Sequence, residues 1–298
     1  MRLKFWGTRG SISTPGKQTV RYGGNTPCIE VRLANDKLII LDAGTGIRNL
    51  GEALIENGES IKAFILISHP HWDHIQGFPF FKPAFISGNE LTIIGGETEK
   101  VTLQKMISDQ MNKVYFPIQL NELKALIKFR RIGEEEFTVF DAHVKSLFVN
   151  HPSFALGYKI THRGKSIVYI SDNEPFDRRV ARSIRNVEKS IIDKYAAING
   201  DPNQRIFDFV RNADVLIHDA TYTPEEYVDR VGWGHSHYLF TLKVAAEGKV
   251  KRLVLFHHDP SHNDEKIDDI LKTCKKEIRN RRYKFDCAAA SEGMEIEI

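Results

Sequence analysis

The sequence predicts an α/β fold in which two mixed β-sheets pack face to face between outer helices, a four-layer αββα sandwich. Short apolar runs of strand length alternate with longer segments of helical periodicity along the 298 residues, and the strands are numerous. No internal repeat, low-complexity stretch or linker divides the chain. We therefore expect one domain over residues 1–298, with a charged, helical insertion or cap at about residues 177–212.

Most elements follow from apolar periodicity and turn residues. Strands are predicted in the segments 2–7, 28–34, 37–44, 62–68, 137–144, 146–151, 155–162, 165–172, 214–222 and 252–258. Helices are predicted at 47–57, over most of 97–129 with an interruption at 116–117, at 237–248 and from about 264 to 282. Several of these strands end directly before histidine or aspartate.

Composition excludes some classes of protein. The chain is 41% hydrophobic and 27% charged with a net charge of +3, which is ordinary for a globular protein and does not by itself indicate nucleic-acid binding. Three widely spaced cysteines form neither a CxxC pair nor a disulfide framework. The first ten residues lack an apolar signal core, and no apolar run approaches a membrane span. These features predict a cytoplasmic protein without membrane contact.

The most informative segment is HPHWDH, which follows the apolar run that ends at Ser68. It places His69, His71, Asp73 and His74 within six residues. We expect these residues on a tight turn, where alternate side chains can point into one cavity. Imidazole nitrogens and carboxylate oxygens are donors that suit zinc, iron or manganese. The segment therefore predicts a metal site.

Further donors stand at the ends of other apolar runs. One run ends in His151, a second in Asp172, and a third in the pair His257 and His258. If these strand ends meet at one edge of the sandwich, the pooled side chains suffice for two metal ions. A short carboxylate such as Asp172 could bridge them. The spacing alone leaves either His257 or His258 as the ligand.

These motifs, in this order, resemble those of the metallo-β-lactamase superfamily, and the resemblance extends along almost the whole chain. It implies one divalent metal on His69, His71 and His151, and a second on Asp73, His74 and His257, with Asp172 bridging. Zinc is the expected metal, with manganese and iron as alternatives. His257 rather than His258 fits the family pattern of a strand followed by histidine. Asp42, in LDAGTG, would orient the histidine loop.

Other segments resemble the ribonuclease Z and cyclic-phosphodiesterase branch of that superfamily. The branch has aspartate where true β-lactamases have cysteine, and Asp172 occupies that position. In this branch a histidine of a G-H-S motif points at the scissile phosphate with support from an acidic residue, and the matching residues are His235 and Asp219. In the implied reaction Asp73 takes the proton of the nucleophile and His235 neutralises the departing oxygen. Asn25 and Thr26 lie in a loop that resembles one facing the site, and we expect them to contact substrate.

The predicted function is hydrolysis of a phosphodiester by metal-activated hydroxide. Two divalent cations, two aspartates and a hydroxide leave about one positive charge at the centre, which suits an anionic substrate. A small phosphodiester, such as a cyclic nucleotide or a sugar cyclic phosphate, is favoured over RNA because the basic runs within 178–189 and 274–285 each lie in a predicted helix among acidic residues, which is typical of a solvated face. The alternatives are an RNA 3′-processing endonuclease and a thioester or lactone hydrolase on the same site. The family resemblance also implies a homodimer.

Overall fold

The computed structural model describes residues 1–56, 58, 60–176, 201 and 203–298. Within this part of the chain, two seven-stranded sheets pack face to face, and helices cover the outer side of each sheet. This architecture confirms the predicted αββα sandwich.

The first sheet has the strand order β14-β1-β2-β3-β4-β5-β6. Its strands are β1 (Arg2–Gly7), β2 (Cys28–Arg32), β3 (Leu38–Leu41), β4 (Lys62–Ile67), β5 (Glu90–Gly95), β6 (Leu126–Arg131) and β14 (Glu295–Glu297). The pairs from β3 to β6 are parallel, and the pairs from β14 to β3 are antiparallel. Buried on both faces, β3 has the continuous apolar sequence that parallel sheets require.

The second sheet repeats this plan in the order β13-β12-β11-β10-β9-β8-β7. Its strands are β7 (Glu136–Val139), β8 (Ala142–Phe148), β9 (Leu156–His162), β10 (Lys165–Ile170), β11 (Val215–Asp219), β12 (Arg252–Phe256) and β13 (Asp286–Ala289). The pairs from β10 to β13 are parallel, and those from β7 to β10 are antiparallel.

The described α-helices form the outer layers and the connections. They are α1 (Gly46–Ile55), α2 (Trp72–Ile75), α3 (Leu103–Asp109), α4 (Gln204–Phe209), α5 (Pro224–Tyr227), α6 (Tyr238–Glu247) and α7 (Asp264–Asn280). α1 and α3 contribute to a core outside the first sheet, and α4, α6 and α7 to a core outside the second. A third core fills the space between the sheets, where Phe5 of β1 contacts Phe256 of β12 with ring centroids 6.2 Å apart.

The strand directions determine where the polar residues meet. β3, β4, β8, β10 and β12 all run toward the same edge of the sandwich, and each is followed by one of the predicted site residues. Strands that run in the same direction have their carboxyl ends at the same edge of the sheet. Open α/β sheets bind their ligands at that edge. The fold thus brings side chains more than 180 residues apart in sequence to one place.

Three sequence expectations need correction or restriction. The segment 97–129 is not largely helical: α3 is its described α-helix, and the chain then enters strand β6, because the apolar residues of β6 pair with β5. The predicted strand 137–144 is the tip of the β7–β8 hairpin, where Phe140 has a φ of 53°. Of the expected insertion at 177–212, residues 177–200 and 202 lie outside the described residues, and 204–209 form α4.

Within the described part of the chain, no helix is both long and apolar enough to cross a membrane.

Candidate metal centre

Two groups of side chains meet at the carboxyl edge of the sandwich. His69, His71, His151 and Asp172 offer donor atoms that lie within 4.8 Å of one another, and Asp73, His74 and His257 form a second such group. The three imidazoles of the first group have centroids 4.5 to 4.9 Å apart. All of these residues are buried except His71, through which the first group opens to solvent.

The histidine segment differs from the predicted turn. β4 ends at Ile67, and the extended backbone of His71 (φ −62°, ψ 149°) caps the short helix α2. Asp73 and His74 therefore lie in the first turn of a helix, whereas His69 and His71 precede it. Because the backbone changes direction at residue 71, the side chains before α2 point into the first ligand group and those within α2 point into the second. A continuous helix would not divide the four side chains in this way.

Asp42 fixes the histidine segment through hydrogen bonds. Fully buried at the end of β3, its carboxylate accepts hydrogen bonds from the Ser68 N–H (2.7 Å), the Ser68 hydroxyl (2.8 Å) and the Tyr169 hydroxyl (2.6 Å). It also lies 2.7 Å from Nδ1 of His74. A carboxylate that holds Nδ1 leaves Nε2 as the free donor atom, which is the usual orientation of metal-binding histidine.

The same orientation recurs in two more histidines of the centre. Nδ1 of His69 lies 3.0 Å from the Ser68 hydroxyl, and Nδ1 of His151 lies 3.1 Å from the Gly234 carbonyl. Burial lowers the pKa of His151 to about 3, so its imidazole is neutral and retains a lone pair.

Unpartnered polar atoms show that a metal fits the two groups. Nε2 of His69, Nε2 of His74 and Oδ1 of Asp172 are buried and make no well-aligned hydrogen bond with any described residue. Such atoms cost free energy unless a ligand satisfies them. Because their donor types are those of zinc, manganese and iron, divalent cations suit the centre.

Asp172 faces both groups with different oxygens. Its Oδ2 lies 3.5 Å from Nε2 of His69, and its Oδ1 lies 3.2 Å from Nε2 of His74 and 3.4 Å from Nε2 of His257. Burial opposes its ionisation, but the surrounding histidines lower the pKa of Asp172 well below its usual value. The carboxylate is therefore ionised and placed between the two groups.

The structure distinguishes His257 from its neighbour. Nε2 of His257 lies 3.1 Å from Oδ2 of Asp73, within the second group. His258 points away and bonds the Ala290 carbonyl through Nε2 at 2.9 Å. Gly10 packs against the His257 ring so closely that an added Cβ would lie 2.3 Å from it.

His235 and Asp219 also meet at this centre. Nδ1 of His235 lies 3.3 Å from Oδ2 of Asp219, and its ring stacks on that of His257 with centroids 4.8 Å apart. Burial lowers the pKa of His235, but the carboxylates of Asp219, Asp172 and Asp73 together raise it to about 9. His235 also forms a third possible ligand group with Asp172 and His257, so geometry alone permits a ligand role as well.

The two residues expected to contact substrate have other partners. Thr26 is fully buried, and its hydroxyl accepts the Thr45 N–H at 2.8 Å. Asn25 is partly exposed, but its amide donates to Glu292 at 3.0 Å and its side-chain oxygen accepts the Thr45 hydroxyl at 3.0 Å. Both residues shape the loop beside the centre, and the structure gives no direct support for a substrate contact by Thr26.

Sequence reasoning missed several residues that organise the centre. The Ser11 N–H donates to Oδ2 of Asp73 at 2.8 Å, although Ser11 is far from the motif in sequence. Glu174, two residues after Asp172, bonds the backbone next to His235. Its position two residues after a strand-end aspartate was the available signal. Backbone donors such as that of Ser11 carry no signal in the sequence.

The chain is similar to known proteins over nearly its whole length. The family profile described as the β-lactamase superfamily domain matches residues 37–198. The chain is 25% identical to the ribonuclease Z of Thermoplasma acidophilum, over 94% of this chain and 92% of that protein. It is 27% identical to the ribonuclease Z of Picrophilus torridus, over 95% and 92% of the two chains.

Among solved structures, the metallo-β-lactamase fold protein YhfI from Bacillus subtilis superimposes with a TM-score of 0.67. The alignment covers 100% of this chain and 98% of that one at 16% identity, which shows a common fold. With the family profile covering more than half of the sequence, the chain belongs to the metallo-β-lactamase superfamily and is a metal-dependent hydrolase.

Proposed function

We propose that this hydrolase cleaves phosphodiesters with two divalent metal ions. His69, His71 and His151 would hold one ion, Asp73, His74 and His257 the other, and Asp172 would bridge them. The distinct directions of the two Asp172 oxygens and the unpartnered histidine nitrogens support this division. When bound, the ions supply Lewis acidity and a hydroxide nucleophile at neutral pH. We propose zinc as the native metal, with manganese and iron as the alternatives.

The arrangement of His235 carries the choice of a phosphodiester. This histidine is buried beside both ligand groups, and its Nδ1 faces Asp219, which leaves Nε2 for a substrate. The adjacent Asp219 carboxylate raises the pKa of His235 and so favours its protonated form. A proton donor at this place can neutralise the oxygen that departs from phosphorus, and a cation there favours an anionic substrate over a neutral ester or lactone.

Three further groups would assist the reaction: Asp219, the backbone N–H of residue 11 and Asp73. Asp219 holds His235 and also accepts the Asn173 N–H at 3.1 Å and the Ser236 N–H at 3.0 Å. The backbone N–H of residue 11 holds one oxygen of Asp73. Burial opposes the ionisation of Asp73, but the neighbouring histidines lower its pKa well below its usual value. Asp73 would therefore remain ionised and able to accept a proton from the nucleophile.

A small phosphodiester, such as a cyclic nucleotide or a sugar cyclic phosphate, is the substrate that we favour. The basic run at 275–284 lies in the second half of α7 and just beyond it. The first residue of α7, Asp264, bonds the backbone of Arg21 and Tyr22, and the basic run begins about 16 Å further along the helix. A small substrate does not need those charges.

RNA is the second candidate, because the relatives named ribonuclease Z match this chain over more than nine-tenths of its length. A homodimer also remains a proposal, which light scattering of the purified protein would test.

The test uses bis(p-nitrophenyl) phosphate and protein reconstituted with zinc or manganese. We expect turnover that falls about 100-fold or more in the His235→Ala variant while the metal content stays at two ions per chain. The matched control is His143→Ala, an exposed histidine paired with Glu136, which should behave like the parent. Loss of metal in the His235→Ala variant would instead identify His235 as a ligand.

Parallel assays with a cyclic nucleotide, an RNA with a 3′ extension, a thioester and a lactone separate the candidates. Cleavage of the RNA without the cyclic nucleotide would replace the small substrate by RNA. Thioester or lactone cleavage by a fully metallated protein that leaves every phosphodiester intact would refute the proposal.

A further inference from the structure

We infer that Glu174 is a positioning residue for His235, and this inference rests on the proposed function. Residues 227–235, here called the His235 segment, run from the end of α5 to His235 itself. Glu174 binds this segment at three points and connects it to the strand ends that hold Asp172 and His151. Its role would be to place the imidazole where the leaving oxygen departs.

The carboxylate of Glu174 is directed entirely at this segment. It is 1% exposed, and its Oε1 accepts the Gly232 N–H at 2.7 Å and the Tyr227 hydroxyl at 2.8 Å. Its Oε2 accepts the Gly234 N–H at 3.0 Å. Three donors converge on one buried carboxyl group, and breaking these bonds would leave buried polar groups unsatisfied, so together they hold the backbone of the segment.

The backbone of Glu174 is itself fixed to the loop of His151. Its N–H donates to the Asn150 carbonyl at 2.7 Å, and the Asn150 amide donates to the Glu174 carbonyl at 3.0 Å. These two bonds pair the chain after Asp172 with the chain before His151. Gly234 then contacts His151 directly, because its carbonyl lies 3.1 Å from Nδ1 of that histidine. Glu174 thus holds the His235 segment at a fixed position relative to the ligand groups.

Among the described residues, packing contributes little to the middle of the His235 segment. Val228 is 72% exposed and Trp233 is 61% exposed, so these large apolar side chains bury little surface. Asp219 contacts Nδ1 of His235 and the N–H of residue 236, which sets the rotation of the ring at the end of the segment. Glu174 sets the course of the backbone that leads to it, so the two acidic residues have separable effects.

The test exploits the leaving group. Methyl p-nitrophenyl phosphate releases a stable anion and needs little help from an acid, whereas methyl phenyl phosphate releases a more basic oxygen and needs more. In the Glu174→Gln variant, which keeps the shape but turns an amide toward backbone N–H groups, we expect kcat for the phenyl ester to fall about tenfold more than kcat for the nitrophenyl ester. Metal content should stay at two ions per chain.

A double-variant cycle checks that the effect passes through His235. If Glu174 acts by placing that imidazole, the Glu174→Gln and His235→Ala double variant should lie within about twofold of His235→Ala alone. The control is Glu226→Gln, whose parent carboxylate accepts the Thr223 N–H and pairs with His262 rather than with the glycines. This control should slow both esters equally or not at all.

Several outcomes would overturn the inference. An equal loss on both esters, or additive effects in the double variant, would leave Glu174 with a structural role only. If Glu174→Gln does not fold, Tyr227→Phe removes one of the three bonds and should show the same leaving-group preference to a smaller degree. Absence of turnover by the metallated parent on both esters would refute the proposed function itself, which is a different result from an active parent with an indifferent variant.

Discussion

Replacing Asp42 by asparagine should weaken both the fold and the metal centre. The Asp42 carboxylate is fully buried and faces four donor groups, from Ser68 (two), Tyr169 and His74. Asparagine has the same shape, but only one of its two polar atoms accepts hydrogen bonds. At least one of these donors must then face an amide N–H.

The magnitude follows from those contacts. A hydrogen bond to a charged group contributes about 1.5–3 kcal/mol, and leaving a buried donor unsatisfied costs about 1–3 kcal/mol. We therefore expect the free energy of unfolding to fall by about 3–5 kcal/mol, which lowers Tm by roughly 6 °C or more in a chain of this size. Because Asp42 also orients Nδ1 of His74, metal affinity should fall about 10- to 100-fold.

Two measurements check this prediction. Thermal unfolding of the metal-free protein reports the loss of stability, and competition with a chromophoric chelator reports metal affinity. The control is Asp141→Asn, since Asp141 is a half-exposed carboxylate that pairs with Lys37 at the surface. An Asp42→Asn variant that melts with the control and binds metal with the affinity of the parent would refute the reasoning.

Two further predictions concern the ligand groups. The Asp172→Asn variant should retain at most one tightly bound metal per chain by elemental analysis, because one carboxylate faces both groups, and two tightly bound ions would contradict a bridging role. The Gly234→Ala variant should lose metal and activity, because an added Cβ would lie 2.2 Å from Nδ1 of His151. Its control is Gly232→Ala, which has a similar φ of +90° but open space around the added Cβ, so equal losses in both variants would assign the effect to backbone strain.

Local sequence patterns were sufficient to predict the sandwich and most of its strands. β4 and β12 are continuous apolar runs, and burial on both faces leaves such runs no other stable place. The same pattern reasoning failed at 97–129. There β6 is an edge strand that is partly buried on one side only, and its mixture of apolar and basic residues is also compatible with an amphipathic helix. Pairing with β5, which is a tertiary interaction, decides that segment.

The candidate site divides in the same way. The sequence by itself determined that His69, His71, Asp73 and His74 stand close together, because six residues after a strand cannot separate. Only the tertiary structure decided that His257 faces the ligand groups and that His258 bonds Ala290. It also decided that the Thr26 hydroxyl bonds Thr45 and that Glu174 bonds the His235 segment. The physical reason is that the sequence specifies which donor atoms are present. The direction of a side chain and the partner it contacts depend on backbone angles and on strands that are distant along the chain.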